Sequence, residues 1–320
     1  MEAGVDETSG FGHGKVILLG EHTVVYGHPA LVAGLPIGVH ARVRPGTGRI
    51  DADVWGLHAS IGDGSDAAAA IAGLAGVLGV DLMRLDVALE TEIPARAGLG
   101  SSAAMAGAIA RALAPRASRH VDDATVRAAV DASEAIFHGT PSGVDAAAAI
   151  AGSVGCFTKS DGFAPVPVRQ GIKLCVGFSG EPRKTSDLVQ NLAVLVRRTA
   201  VAREVVEALA SITRAGIATL ESGDIDSLGR LFDLAHGLLA GLRLSTLGLE
   251  RLVHGARAAG ALGVKLTGAG GGGAVIALAP SHRNDVLARW KSDGFDGLTT
   301  TVGPKAQKHP DPKPPEAGGA

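Results

Sequence analysis

The segment Gly98-Leu99-Gly100-Ser101-Ser102-Ala103-Ala104 constrains the fold more than any other part of the chain. Glycines at 98 and 100 permit a tight turn and close backbone approach. The small, helix-favouring residues that follow predict a helix starting on that turn. Such a helix end presents unpaired N–H groups and the positive end of its dipole, which together suit a phosphate. Two more glycine-bearing segments lie far from it in sequence, Gly14-Lys15-Val16-Ile17-Leu18-Leu19-Gly20-Glu21-His22 and Lys265-Leu266-Thr267-Gly268-Ala269-Gly270-Gly271-Gly272-Gly273. The chain is expected to hold the phosphates of a nucleotide.

At 320 residues the chain has room for two domains, and its 46% apolar content supplies real cores. Only 3% is aromatic, so those cores must be aliphatic and rich in alanine. A formal net charge of −2 argues against general binding to nucleic acid or anionic membranes. Cys156 and Cys175 have no metal-binding spacing, and a structural disulfide is not expected. The polar, acidic start lacks the features of a signal peptide, and no apolar run is long enough to span a bilayer. A cytoplasmic protein is the expectation.

Periodicity predicts a strand over 15–19, extended segments over 25–43, a turn or short hairpin within 45–64, a helix over 66–78 and a half-buried strand over 85–93. Helices are predicted over 101–114 and over 122–137, the latter capped by Asp122 or Asp123, and an alanine-rich helix follows Asp145. The stretch 162–171 reads as a connection between domains, placing the first at 1–168 and the second at 169–304. In the second domain a strand is predicted over 172–178, long helices over 187–218 and 224–242, and another helix over 249–261. Strands over 264–267 and 274–278 flank the glycine turn. Residues 305–320 are proline-rich and expected to be disordered.

Which kind of phosphate site this is can be narrowed. A Walker A loop is excluded, because Lys15 is followed by Val16 and Ser9 stands where its first glycine should be. Gly98, Gly100 and Ala103 match a dinucleotide fingerprint, as do Gly268, Gly270 and Gly273. The second match lies between two strands. The first is separated from its strand by residues 94–97, and no acidic strand end follows at the expected distance. Dinucleotide binding is therefore the runner-up.

Four segments in order resemble the motifs of one family. Residues 94–104 are similar to the phosphate loop of the galactokinase, homoserine kinase, mevalonate kinase and phosphomevalonate kinase superfamily, the GHMP kinases. Residues 15–30 resemble the first motif of the mevalonate kinase family. Phe137-His138-Gly139-Thr140-Pro141-Ser142-Gly143-Val144-Asp145 resembles that family's segment bearing the catalytic aspartate, and residues 265–273 resemble its third motif. The resemblance runs from about residue 12 to 278. The chain departs from the pattern at His13, where proline is usual, and at Ser186, where a basic residue is frequent.

This resemblance implies an α+β, two-domain GHMP-kinase fold. The N-terminal ATP-binding domain would be ribosomal-protein-S5-domain-2-like with a left-handed βαβ unit, the C-terminal domain ferredoxin-like, and the ligands would lie between them. It implies ATP and Mg²⁺, transfer of the γ-phosphoryl to the primary hydroxyl of (R)-mevalonate, and a homodimer. By resemblance Gly98, Leu99, Gly100, Ser101, Ser102 and Ala103 hold the nucleotide, Ser102 and Glu134 the metal, and Asp145 with Lys15 the chemistry. Lys15, Glu21, His22, Asp145, Thr185, Gly268 and Ala269 would line the acceptor site.

Each residue also has a plainer explanation. Ser102, Asp145 and Thr185 could be helix caps, and Glu134 a solvated helix residue. Glu21 and His22 could be turn residues, and the glycines of 268–273 a flexible turn. Lys15 resists a plain explanation, because a lysine in an apolar strand must find water or a partner. Five glycines in six positions also cost much backbone entropy, which favours close approach to a ligand or another loop. Rival readings are another GHMP kinase, acting on a sugar, homoserine or phosphomevalonate, and a non-catalytic nucleotide or metabolite sensor.

Overall fold

The computed structural model describes residues 7–94, 97–138, 142–181 and 185–304, with backbone only at Val54, His138 and 185–187. The first sheet is built on two long strands. β1 (Thr8–Leu19) runs antiparallel along β2 (Ala30–Pro45), from Thr8 opposite Val43 to Leu19 opposite Leu31. The far edge of β2 is shared between β5 (Leu85–Thr91) and β6 (Val154–Thr158). The hairpin of β3 (Arg49–Ala52) and β4 (Leu57–Ser60) sits beyond β5, with β3 parallel to β5, and β7 (Gly162–Pro165) closes the other side. Helix α1 (Asp66–Leu78) carries the chain from β4 to β5.

Helix α2 (Ser101–Leu113) is the central helix of this half. Its residues from Ala103 to Ala110 are all buried, as a helix of small residues allows. It lies directly on β1. A Cβ at Gly10 would come within 2.2 Å of the Ala108 carbonyl oxygen, and one at Gly12 within 1.9 Å of the Ala104 carbonyl oxygen. Only glycine permits that approach. Arg111 of α2 fastens the contact by donating to the carbonyls of Phe11 and Ile150, both at 2.6 Å. Helix α3 (Asp123–His138), with Asp122 accepting from the Thr125 N–H at 2.8 Å, and helix α4 (Val144–Ala151) pack against α2.

The second sheet is antiparallel, in the order β11 (Asp296–Val302), β8 (Ile172–Phe178), β10 (Ala274–Leu278), β9 (Gly263–Thr267). Helices α5 (Thr185–Arg198), α6 (Ala200–Ser222), α7 (Ile225–Gly241) and α8 (Leu247–Ala258) join β8 to β9, and α9 (Arg283–Ser292) joins β10 to β11. This is a ferredoxin-like βαββαβ order with extra helices in its first crossover. Phe232 of α7 and Trp290 of α9 are fully buried in its core.

Several sequence expectations need correction. β1 begins at Thr8 rather than Lys15, because Gly10 and Gly12 hide its strand character. The expected extended run over 25–43 starts with a short 3-10 turn, Thr23–Tyr26, and its strand begins at Ala30. The single helix expected over 187–218 is two: Thr199 is extended and its hydroxyl accepts from the Ala202 N–H at 3.2 Å, starting α6 afresh. Residues 162–165 are not linker but β7, so the chain leaves the first sheet at Pro165 and enters the second at Ile172. Helix α8 spans Leu247–Ala258 rather than 249–261. β6, α9 and β11 were not foreseen. The expectation for 305–320 falls outside the described residues. Among the described residues no helix is long and apolar enough to cross a membrane.

Candidate active site

The site is assembled on the outer edge of β1, the edge not used by β2. The Lys15 N–H donates to the Leu99 carbonyl at 2.8 Å, which fixes the glycine turn before α2 to this strand. Two residues on, Thr267 of β9 takes both polar backbone groups of Ile17: its Oγ1 accepts the Ile17 N–H at 2.9 Å and donates to the Ile17 carbonyl at 3.0 Å. One strand of the first sheet thus carries a loop of its own half and a strand of the other.

Lys15 is 4% exposed, and its ammonium lies 2.9 Å from Oδ1 of Asp145, which is 40% exposed. The partner that a lysine in an apolar strand demands is this carboxylate. Asp145 is in the first turn of α4, but Gly143 occupies the N-cap position with φ +83°, so Asp145 is not the cap. The stem of Lys15 runs over Gly100, where a Cβ would come within 2.8 Å of the Lys15 Cγ. Gly100 itself is the N-cap of α2, with φ +74°, and Gly98 is also left-handed at +76°. No side chain therefore caps α2. Ser101 and Ser102 stand in its first turn, half-buried, and the plain capping role for Ser102 falls away. The open helix end, the ammonium and the carboxylate converge.

Glu21 and His22 turn the chain after β1. His22 is in the left-handed region at φ +64°, and its Nε2 lies 2.9 Å from the Ala269 carbonyl. A carbonyl only accepts, so Nε2 carries the proton and Nδ1 of the neutral ring is the free acceptor. Burial pushes the His22 imidazole down from its ordinary value. Glu21 is 1% exposed and paired with Lys265 of β9, itself fully buried. Burial is the largest influence on both, pushing the Glu21 carboxyl up and the Lys265 ammonium down, while each charge pulls the other back.

The glycines of 268–273 approach backbone from other loops. Gly270 leaves no room for a Cβ, which would come within 2.2 Å of the Leu244 carbonyl oxygen, and the Gly271 N–H donates to that carbonyl at 2.8 Å. Gly272 faces the Glu181 carbonyl in the same way, at 2.9 Å. The loop is held on its far side and turns Gly268 and Ala269 toward His22. Glu134 lies buried, 2% exposed, in α3 rather than on a solvated face. Thr185 is the first residue of α5, and its side chain falls outside the described residues. Among the described residues no group of three or more His, Cys, Asp or Glu side chains is placed to hold a metal ion.

Comparison with known proteins identifies the family of this fold. The family model for the GHMP kinases N terminal domain matches residues 74–153, and that for GHMP kinases C terminal matches 205–296. The chain is 34% identical to a mevalonate kinase of Aeropyrum pernix over 83% of its own length and 86% of that protein's. It is 33% identical to a mevalonate kinase of Pyrococcus horikoshii over 90% and 93%. The chain belongs to the mevalonate kinase family. Among solved structures, the mevalonate kinase of L. major in complex with R-mevalonate superimposes with a TM-score of 0.85 at 28% identity, covering 94% of this chain and 98% of that one. The galactokinase of Lactococcus lactis, at 18% identity and a TM-score of 0.75, shares the fold. The two-domain α+β GHMP fold implied by the sequence is thus the fold of this mevalonate kinase family member.

Two residues of this family member were overlooked in the sequence, Lys265 and Thr267. The signal for Lys265 was present. It is a lysine between Val264 and Leu266 in an apolar strand, the same argument that singled out Lys15.

Proposed function

We propose that this enzyme transfers the γ-phosphoryl group of ATP to the primary hydroxyl of (R)-mevalonate, giving 5-phosphomevalonate and ADP in the mevalonate pathway of isoprenoid biosynthesis. The observation that carries the reading is the Lys15–Asp145 pair, 2.9 Å apart, beside the uncapped N-terminus of α2. The curated relatives named mevalonate kinase and the neighbour solved with R-mevalonate support the choice of acceptor.

Phosphoryl transfer asks a protein for alignment and for cancellation of phosphate charge more than for covalent help. Residues 98–103 supply the N–H groups and dipole that hold the nucleotide phosphates. Asp145 accepts or orients the proton of the attacking hydroxyl, and Lys15 fixes the carboxylate and adds positive charge where the phosphoryl group passes. His22 presents its free Nδ1 to the acceptor, with Thr185, Gly268 and Ala269 as further walls of that pocket. Glu21 serves the acceptor pocket from beneath, through the turn that it shares with His22.

Mg²⁺ fits the donor set. Ser102 and Glu134 offer hard oxygen atoms on neighbouring helices, and a site with few side-chain ligands suits an ion carried chiefly by phosphates and water. When bound, the ion neutralises phosphate charge. We also propose a homodimer, as the family resemblance implies, and a cytoplasmic location, in keeping with Cys156 and Cys175 both being free.

The test is ADP release with mevalonate, phosphomevalonate, galactose and homoserine offered in turn. Turnover with mevalonate is expected. Turnover with galactose alone would replace the acceptor, and binding without turnover on any of them would favour a sensor.

A further inference from the structure

Two acid–base pairs lie side by side beneath the glycine turns, and they are built differently. Lys265 uses all three of its donors: Glu21 Oε1, the Leu266 carbonyl at 2.7 Å and the Ile17 carbonyl at 3.5 Å, with its Nζ 5.9 Å from the centre of the Phe232 ring. Glu21 is less well served. Its Oε2 is buried with no hydrogen-bond partner among the described residues. Asp145, by contrast, is 40% exposed and can be solvated.

A buried, half-satisfied carboxylate is a stronger attractor for a neighbouring ammonium than a wet one, because it has more to gain and less screening around it. Lys15 is the neighbouring ammonium. Its charge acts on both Glu21 and Lys265. Lys265, which holds Glu21, also reaches the carbonyl of Ile17, two residues beyond Lys15 on the same strand.

We propose that Lys265 is a positioning residue for phosphoryl transfer: by holding Glu21 it leaves the Lys15 ammonium to Asp145. The inference rests on Lys15 and Asp145 serving the reaction proposed above. The charged groups concerned come from four elements. Glu21 faces Lys265 of β9 and Lys15 of β1; Lys265 also faces His236 of α7; and Lys15 faces Asp145 of α4.

The test uses the full chain with Lys265→Met, and Lys265→Gln if the first fails to fold, since glutamine keeps a donor against Glu21 without the charge. Thermal melts establish folding first. At about pH 8, kcat with mevalonate is expected to fall by at least about tenfold, a fraction of what a positioned proton acceptor supplies, with a smaller change in KM for ATP. The rate relative to wild type is expected to rise as pH falls, because burial raises the Glu21 carboxyl and a protonated Glu21 stops competing for Lys15. Adding Glu21→Gln to the Lys265 variant removes the competitor, and a crystal structure of the double variant is expected to show Lys15 back on Asp145. A folded Lys265 variant with wild-type kcat, or a double variant in which Lys15 stays away from Asp145, overturns the proposal. A crystal structure of the single variant decides the matter without turnover: Lys15 moved from Asp145 to Glu21 supports it, and Lys15 still on Asp145 sinks it. Failure of wild-type turnover with mevalonate would instead count against the choice of acceptor.

Discussion

The hydroxyl of Thr267 satisfies both backbone groups of Ile17, accepting its N–H at 2.9 Å and donating to its carbonyl at 3.0 Å across the junction of the two sheets. Thr267→Val keeps the shape and strands the buried Ile17 N–H, leaving the Ile17 carbonyl only the 3.5 Å contact from Lys265. A stranded buried group costs about 1–3 kcal/mol, so a loss of about 1–3 kcal/mol in urea unfolding is expected. Thr267→Ser, which keeps the hydroxyl, is expected to recover most of it.

Asp145→Asn removes the charge that fixes Lys15 and takes the hydroxyl proton, while leaving the phosphate loop intact. We expect kcat to fall by roughly 10²–10⁴-fold. Calorimetry with a non-hydrolysable ATP analogue is expected to show nucleotide affinity within a few-fold of wild type. Near-normal turnover would show that another residue handles the proton.

Gly100→Ala tests the contact between the phosphate loop and Lys15. Alanine at φ +74° is strained by about 1–2 kcal/mol, and its Cβ would press on the Lys15 stem. Both kcat/KM for ATP and stability are expected to drop. Gly73→Ala is the control of opposite sign: it lies mid-helix in α1 with nothing within 4 Å of a Cβ, and is expected to stabilise by about 0.5–1 kcal/mol.

His22 and His236 are both held below the ordinary histidine value by burial. The Leu266 N–H donates to Nδ1 of His236 at 3.3 Å, so protonation there would break a bond of β9. Below the unfolded value of 6.5 the unfolded chain binds protons that the native state refuses, and stability falls as pH falls. Each residue contributes a slope of up to about 1.4 kcal/mol per pH unit. Urea unfolding between about pH 7.5 and pH 5.5 should show a shallower slope in His236→Gln than in wild type.

Much of this was legible in the chain. Helix α1 over Asp66–Leu78 and strands β8 and β10 lie where the sequence reading puts them, α1 as an alanine-rich run of helical spacing and the strands as short apolar runs. The start of β1 was hidden, since glycines at 10 and 12 are chosen for contact with α2 and not for strand propensity. α9 was missed because it buries only Val286 and Trp290. In the site, Lys15 declared its need for a partner, and motif resemblance placed Asp145 near it. The Lys265–Glu21 pair was not readable, because its members are 244 residues apart and only the meeting of two sheets brings them together.

The glycine turn at 268–273 is pinned from behind by Leu244 and Glu181. That rim is cast before any guest arrives. A small alcohol meeting a preset wall is sorted by its outline, so enlarging the acceptor range of this enzyme means recutting the residues that brace the turn, not loosening the turn itself.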